Sequence, residues 1–409
     1  MAGRIPVDEH AAFVRSLLAG LGARPTERVA LADALGRITA SPVESPIALP
    51  PFRNSQMDGF AVRAADVADA PVSLPVVGEV AAVAGAPSPL EPGTTVRIMT
   101  GAQVPEGADA IVPVEDTEPD GPAAGAGGAA DVPRVRVLRP RATGEYVREA
   151  GSDLAAGADV LPPGLRLASR HLAAAAASGL TELLVRERVR VAVVSTGSEL
   201  VSPGAELGAG EIPDANGVAL AAAVRAVGAV VVHEARVRDE VGRLRHELDA
   251  ARDADAELVV TSGGVSMGAY EVVRELLEPL GGWVGSVAMQ PGGPQAIGAY
   301  RGMPVIGFPG NPVSAQLSFE LFVAPSLRAI AGLPPARTAR LALAEPLTSV
   351  PGKRQFLRGR RADEDGRVEV VGGPGSHLVA ALAASELLIV VPEDVTSLDA
   401  GALVDTVFL

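Results

Sequence analysis

Between residues 188 and 332 apolar runs alternate with helical stretches, the pattern of a parallel sheet covered on both faces. The runs VRVAVVST, AVVVHEARV and ELVVTS are each followed by a helical segment, at 216–227, 240–252 and 271–280. Further strands are predicted at 283–289 and 304–308, and a long helix at 313–330. One stretch inside this unit, LVVTSGGVSMG at 258–268, ends an apolar run in hydroxyls and a glycine pair just ahead of a helix. Backbone N–H groups left free at such a turn, together with the helix dipole, attract anions. A phosphorylated ligand is expected there.

In an open parallel sheet the loops after the strand ends share one edge, and ligands bind at that edge. The loops in question carry Ser195, Thr196, Gly197, Ser198 and Glu199; then Asp239; then Ser262, Gly263, Gly264 and Ser266; then Gln290, Pro291, Gly292, Gly293 and Pro294; then Pro309, Gly310 and Asn311. Most of them pair glycine with a hydroxyl, an amide or a proline, which suits backbone-lined anion pockets. Glu199, Asp239 and Glu271 lie in or just after these loops. Carboxylates beside a phosphate repel it unless a divalent cation intervenes, so Mg²⁺ is inferred.

Absent motifs narrow the chemistry. No G-x-G-x-x-G follows a strand and no G-x-x-x-x-G-K-[ST] exists, which removes nicotinamide-type and P-loop nucleotide sites. Residues 264–268 do match G-x-S-x-G, the nucleophile elbow, between a strand and a helix. A triad would then need His377, which falls outside the α/β unit, so a serine hydrolase is a remote alternative. Five histidines are scattered without metal-ligand spacing. The chain has no cysteine, which excludes disulfides and thiolate chemistry, and a formal charge of −14, which argues against nucleic acid.

Outside that unit, helices are predicted at 7–20, 26–35 and 169–178, and 40–54 reads as a proline-rich extended connector. From 55 to 138 short β-like runs alternate with turns, and 118–133 is low-complexity. If the helix at 169–178 packs with the two N-terminal ones, this β unit is an insertion into a discontinuous first domain. Residues 341–409 read as a small β domain. With 409 residues, about two to four domains are expected. No signal peptide or membrane span is predicted, and a cytoplasmic location is expected.

Several stretches, in order, resemble the molybdopterin molybdenumtransferase family, which includes the C-terminal domain of gephyrin. They are SPVESPIALPPFRNSQMDGFAVR, TVRIMTGAQVPEGADAIVPVED, REAGSDLAAG, VAVVSTGSELVSPG, IPDANGVAL, VVTSGGVSMG and GFPGNPVSA. The resemblance implies a multidomain α/β plus β chain. Its parts would be a discontinuous elongated domain (1–45 and 140–186), an inserted β domain (46–139), an α/β molybdopterin-binding domain (187–335) and a C-terminal β barrel (336–409). It implies molybdate transfer to adenylylated molybdopterin, Mg²⁺-dependent hydrolysis of the adenylate and release of AMP. It further implies a homodimer with the site between subunits, and a molybdopterin adenylyltransferase and molybdoenzymes as partners. By motif, Asp58, Thr100, Asp153, Glu199 and Asp239 match active-site positions, with Glu271 where the family usually has aspartate. Ser314, Arg354 and Ser376 match positions near the cleft. The family commonly carries K-P-G-K-P where this chain has Gln290 to Pro294, with glutamine and glycine replacing the lysines. A divergent paralogue that binds molybdopterin without efficient metal insertion is therefore the alternative, with nucleotidyl transfer by the α/β domain a further one.

Overall fold

The computed structural model describes residues 4–120, 132–266, 271–362 and 366–409. Residues 121–131 of the low-complexity segment, and residues 267–270, which include the last two of the 258–268 stretch, lie outside the described residues. Among those described, no helix is long and apolar enough to cross a membrane.

The central sheet has six strands in the order Val230–Val237, Arg190–Thr196, Leu258–Ser262, Met303–Phe308, Pro294–Tyr300 and Trp283–Ser286. The first four are parallel, as the apolar runs predict. The last two are joined by antiparallel pairing, and Pro294–Tyr300 is a strand that periodicity does not reveal. Its sequence, PQAIGAY, is poor in β-branched residues and opens on proline, so tertiary pairing rather than propensity makes it a strand. Two antiparallel steps restore the original direction. Trp283–Ser286 therefore runs with the parallel set, and the 287–293 connection still arrives on the ligand edge.

Helix Ala215–Ala226 starts at Asp214, whose carboxylate accepts from the Gly217 N–H at 2.9 Å. It packs with Phe308, Phe319 and Phe322 on one face of the sheet. Val241–Asp253 and Val272–Leu277 cover the other through Leu244, Leu248 and Leu276. The long helix predicted at 313–330 is broken: Pro312–Ser318 and Ala324–Ile330 are α-helical, and Phe319–Val323 between them is a π turn. Pro325 has no N–H to return to residue 321, which accounts for the local widening.

The segment expected to be a helix at 26–35 is strand Thr26–Ala30 followed by a 3₁₀ turn, Leu31–Asp33. It pairs antiparallel with Glu182–Arg186, and its exposure alternates along the strand, which outweighs its local helical signal. Val43–Glu44 pairs with Asp159–Leu161 in the same region. Pairing of strands, not of helices, thus joins the two stretches around the inserted unit. The first helix, Val7–Leu18, departs from the expected 1–45 grouping. Val7, Val14 and Leu18 are buried in the core of the α/β unit, where they complete its apolar face.

His10 on that helix is fully buried, edge-on to Phe322 at 4.6 Å and tilted against Trp283 at 5.4 Å, with no hydrogen-bond partner for either ring nitrogen. Burial lowers its pKa from 6.5 to about 4. A folded-state value below the unfolded one means that the unfolded chain takes up the proton first. Stability is intact above pH 6.5 and falls as pH drops toward 4, by about 3 kcal/mol from this group alone. Denaturant titrations across that window are expected to show the loss in the native chain, and His10→Phe is expected to abolish this part of it.

The inserted unit is a six-stranded sheet ordered Ala110–Pro113, Gly59–Val62, Thr95–Ile98, Val72–Val80, Arg134–Val137 and Thr117–Pro119. The C-terminal unit is β-rich. Its sheet runs Met289–Gln290, Arg354–Arg361, Leu387–Val391, Leu403–Phe408 and Thr338–Ala342, with Val368–Val370 added to the second strand. The edge strand Met289–Gln290 comes from the α/β unit, so one cleft loop is shared with the C-terminal sheet.

Candidate functional site

The C-terminal edge of the parallel strands opens into a cleft of ≈ 950 Å³. Its wall includes Thr196, Gly197, Glu199, Asp239, Gly263, Gly264, Ser266 and Glu271 from the predicted loops. Gln290, Pro291, Gly292, Pro294, Pro309, Gly310, Asn311, Ser314 and Ser376 also face it. Edge loops from four parallel-running strands and one hairpin thus meet, as strand direction dictates.

Two expected contacts lie below the floor. Ser195 and Ser262 are 0% and 1% exposed, and the Ser262 hydroxyl is 3.4 Å from that of Ser195. They sit on neighbouring strands and face each other instead of the ligand space. Gly263 does shape the floor. Its φ is +89°, and a Cβ there would overlap the Thr196 carbonyl oxygen and come within 2.7 Å of the Thr196 hydroxyl.

Of the amides after this strand, the Gly263 N–H donates to the Phe308 carbonyl at 2.9 Å, and residues 267–270 of the loop lie outside the described residues. The Gly264 carbonyl accepts from Val273 and Arg274 N–H, both at 3.1 Å, so two amides of the first helical turn are already paired. The Ser266 N–H donates to Glu271 Oε2 at 2.7 Å. These two internal acceptors, one of them charged, thus occupy three of the donors that the sequence pattern leaves open.

Four carboxylates line the cleft, Asp214 and the three expected ones, Glu199, Asp239 and Glu271. Asp239 and Ser198 are linked reciprocally: Ser198 N–H donates to Asp239 Oδ2 at 3.0 Å, and Asp239 N–H donates to Ser198 Oγ at 3.2 Å. The Glu199 carboxylate folds over Gly197, where a Cβ would come within 2.8 Å of it. Glu271 stands across the loop. Among the described residues no group of three Asp, Glu, His or Cys side chains is placed to hold a metal ion. These hard oxygen donors suit Mg²⁺ only in its usual manner, one or two carboxylates with the remaining positions filled by water and ligand phosphate.

Arg354 does not face the cleft. Its guanidinium is engaged by Asp8 at 2.8 and 3.0 Å and by Glu393 at 3.2 Å, with the Asp8 hydrogen bonds the main cause of its raised pKa. The arginine that reaches the rim is Arg358, four residues on along the strand and 1% exposed. It donates to the carbonyls of Gly373 and Gly375, the latter at 3.1 Å, and so holds the loop that brings Pro374, Ser376 and His377 to the cleft. The Ser376 carbonyl in turn accepts from Val313 N–H at 3.1 Å. A lysine cannot span two carbonyls in this planar fashion. Arg358→Lys is expected to cost about 2 kcal/mol in thermal or denaturant unfolding and to loosen the 372–377 loop toward proteolysis.

Sequence reasoning also missed Asp214 and Asn216, both 6% exposed and on the cleft wall. Asn216 Nδ2 donates to the Gly310 carbonyl at 2.7 Å, while its Oδ1 has no partner. The available signal was the polar PDAN run directly before a helix. Gly293, by contrast, is not on the wall, and a side chain there would press on the Ser286 hydroxyl at 3.3 Å.

His377 lies outside the α/β unit, yet its loop brings it to the same cleft as Ser266. Its ring makes no hydrogen bond among the described residues, and a serine nucleophile needs an oriented base. The hydrolase alternative therefore gains nothing from this proximity.

Asp58, Thr100 and Asp153 do not line this cleft. Asp58 Oδ1 accepts from both the N–H and the hydroxyl of Thr100, each at 2.7 Å, at the exposed end of the inserted sheet. The Thr100 hydroxyl first, then its N–H, hold the Asp58 carboxyl below the usual carboxylate range. Asp153 lies on a separate exposed turn, its N–H bonded to the Leu49 carbonyl at 2.9 Å.

Comparison with known proteins agrees along the whole chain. Residues 5–179 match the MoeA N-terminal region (domain I and II), residues 192–329 the probable molybdopterin binding domain, and residues 340–409 the MoeA C-terminal region (domain IV). Molybdopterin molybdenumtransferase 2 of Mycobacterium tuberculosis is 45% identical over 97% of both chains. The molybdopterin molybdenumtransferase of Haemophilus influenzae is 33% identical over 93% of both. A crystal structure of the molybdopterin biosynthesis MoeA protein of Pyrococcus horikoshii superposes with a TM-score of 0.78 at 32% identity, covering 99% of each chain.

Proposed function

This chain belongs to the molybdopterin molybdenumtransferase family, and from that premise we propose that it inserts molybdate into adenylylated molybdopterin and releases AMP. The observation that carries the reading is the cleft itself. Its ≈ 950 Å³ is at the upper end of the range for small-molecule sites and suits a pterin joined to a nucleotide. Its wall combines carboxylates with turns where glycine lets the backbone approach a ligand closely.

In the proposed reaction water attacks the phosphoanhydride and the bond to the AMP phosphate breaks, giving AMP and the molybdopterin phosphate. The two dithiolene sulfurs bond to molybdenum, and one molybdate oxygen leaves as water with the two thiol protons. Mg²⁺, held by Asp239 or Glu271 with phosphate oxygens, would neutralise the charge that these carboxylates otherwise repel. Glu199 and Asp239 position the anhydride end, while Thr196, Asn216 and Asn311 supply uncharged polar contacts around the ligand. Asp58, kept ionised by Thr100, is the carboxylate that orients the attacking water.

Asp58 and Thr100 lie outside the cleft of their own chain, so the reading requires a homodimer in which a second copy supplies them. Mixing Asp58→Asn with Glu199→Gln chains is then expected to recover activity that neither variant has alone. We place the reaction in the cytoplasm, after a molybdopterin adenylyltransferase and before cofactor uptake by molybdoenzymes.

The deciding experiment incubates the purified chain with adenylylated molybdopterin, Mg²⁺ and molybdate and follows AMP. Release that depends on molybdate and stops with a chelator is expected. Ligand binding without any release would instead leave a molybdopterin-binding protein.

A further inference from the structure

The cleft described above is read as a site for an anionic ligand, yet among the described residues its wall contains Glu199, Asp214, Asp239 and Glu271 and no lysine or arginine. Uncharged donors must therefore make up much of the protein's own contribution to anion binding. One of them is held in an unusual way. Gln290 lies on the cleft wall at the edge of the C-terminal sheet, directly opposite Gln355 in the parallel register. Gln355 is 2% exposed, and its Nε2 donates to Gln290 Oε1 at 2.7 Å. Its own Oε1 is buried without a partner.

A buried amide with half its capacity unused is a poor choice for stability alone, since an apolar side chain of similar shape avoids the unpaired oxygen. Its single side-chain hydrogen bond goes to a cleft residue. That bond occupies the carbonyl end of Gln290 and leaves the two N–H donors as the end available to ligand. From below, Gln295, fully buried, donates to the Gly292 carbonyl at 2.8 Å and to the Ser318 hydroxyl at 2.6 Å, which fixes the loop that carries Gln290.

We propose that Gln355 is a positioning residue that locks Gln290 as an uncharged, directed donor, so that this cleft selects its anionic ligand by geometry more than by net charge. The inference rests on the proposed reading of the cleft as an oxyanion and phosphate site. It goes further in naming a specificity pair that spans the α/β and C-terminal units.

The test titrates the full chain with sodium molybdate by calorimetry at low and high salt, alongside AMP release. Gln290→Ala is expected to weaken molybdate binding about tenfold, and Gln355→Leu about threefold, with KM raised and kcat unchanged. The double variant is expected to bind no more weakly than Gln290→Ala, because Gln355 acts through Gln290. Multiplying effects, or a Gln290→Ala chain that binds like the native one, overturn the proposal. Should Gln355→Leu not fold, Gln290→Lys decides. Its molybdate affinity is expected to fall steeply with salt where the native affinity barely changes, and equal salt dependence overturns the proposal. A native chain that releases AMP while these variants behave like it defeats this inference alone. A native chain that neither binds molybdate nor releases AMP defeats the reading beneath it as well.

Discussion

Asp58→Asn is expected to lower kcat for AMP release by about 10²–10³-fold, with little change in the KM for molybdate. The amide oxygen can still accept from Thr100, so the turn keeps its geometry and thermal unfolding is expected to be unchanged. What disappears is the charge. The pH profile offers an independent check. Thr100 depresses the Asp58 pKa, so the carboxylate persists as pH falls and is lost only below the usual value of about 3.9. Activity limited by this group is therefore flat through mildly acid pH. Thr100→Val removes the larger of the two stabilising hydrogen bonds and is expected to move the acid limb upward. An unmoved limb in that variant would mean that another group sets it.

Gly263→Ala is expected to cost about 3 kcal/mol and to abolish ligand binding in the cleft. Two penalties combine. The φ of +89° disfavours any side chain, and the new Cβ would overlap the backbone oxygen of Thr196, which cannot swing aside as a flexible side chain can. Gly204 separates the two terms. Its φ is +85°, and nothing lies within 4 Å of the place an alanine methyl would take, so Gly204→Ala should pay only the conformational part, about 1 kcal/mol. Denaturant titration of the two variants measures the difference. Equal losses would show that the contact with Thr196 is relieved by movement of the loop.

Much of the α/β unit is legible in the chain because its strands are buried on both faces and written as apolar runs. Leu258–Ser262 and Met303–Phe308 fall where those runs stand, and Val241–Asp253 sits within a residue or two of its helical pattern. Thr26–Ala30 is the clearest failure. Five residues with mixed exposure carry little local signal, and their partner strand lies more than 150 residues away. The same holds for Pro294–Tyr300, which becomes a strand through its hairpin with Met303–Phe308.

The site divides along the same line. Glycines and hydroxyls at strand ends marked which loops border the cleft, since a turn needing positive φ or close backbone approach leaves glycine in the sequence. Strand alternation could not choose between Arg354 and Arg358, which share a face four residues apart. The choice was made by Asp8, 346 positions earlier in the chain, which engages Arg354 and leaves Arg358 to hold the rim.

Sequence alone therefore determined the periodic features of this protein: the α/β order, the ligand edge, the glycine-shaped floor and the family to which it belongs. Tertiary structure decided which polar groups are free to act. It paired three amides of the expected pocket with Glu271 and Gly264, turned Ser195 and Ser262 inward, and tied Gln290 to Gln355. Burial patterns repeat along the chain and can be read from it. A hydrogen bond depends on where two distant segments meet in space, and no local period records that.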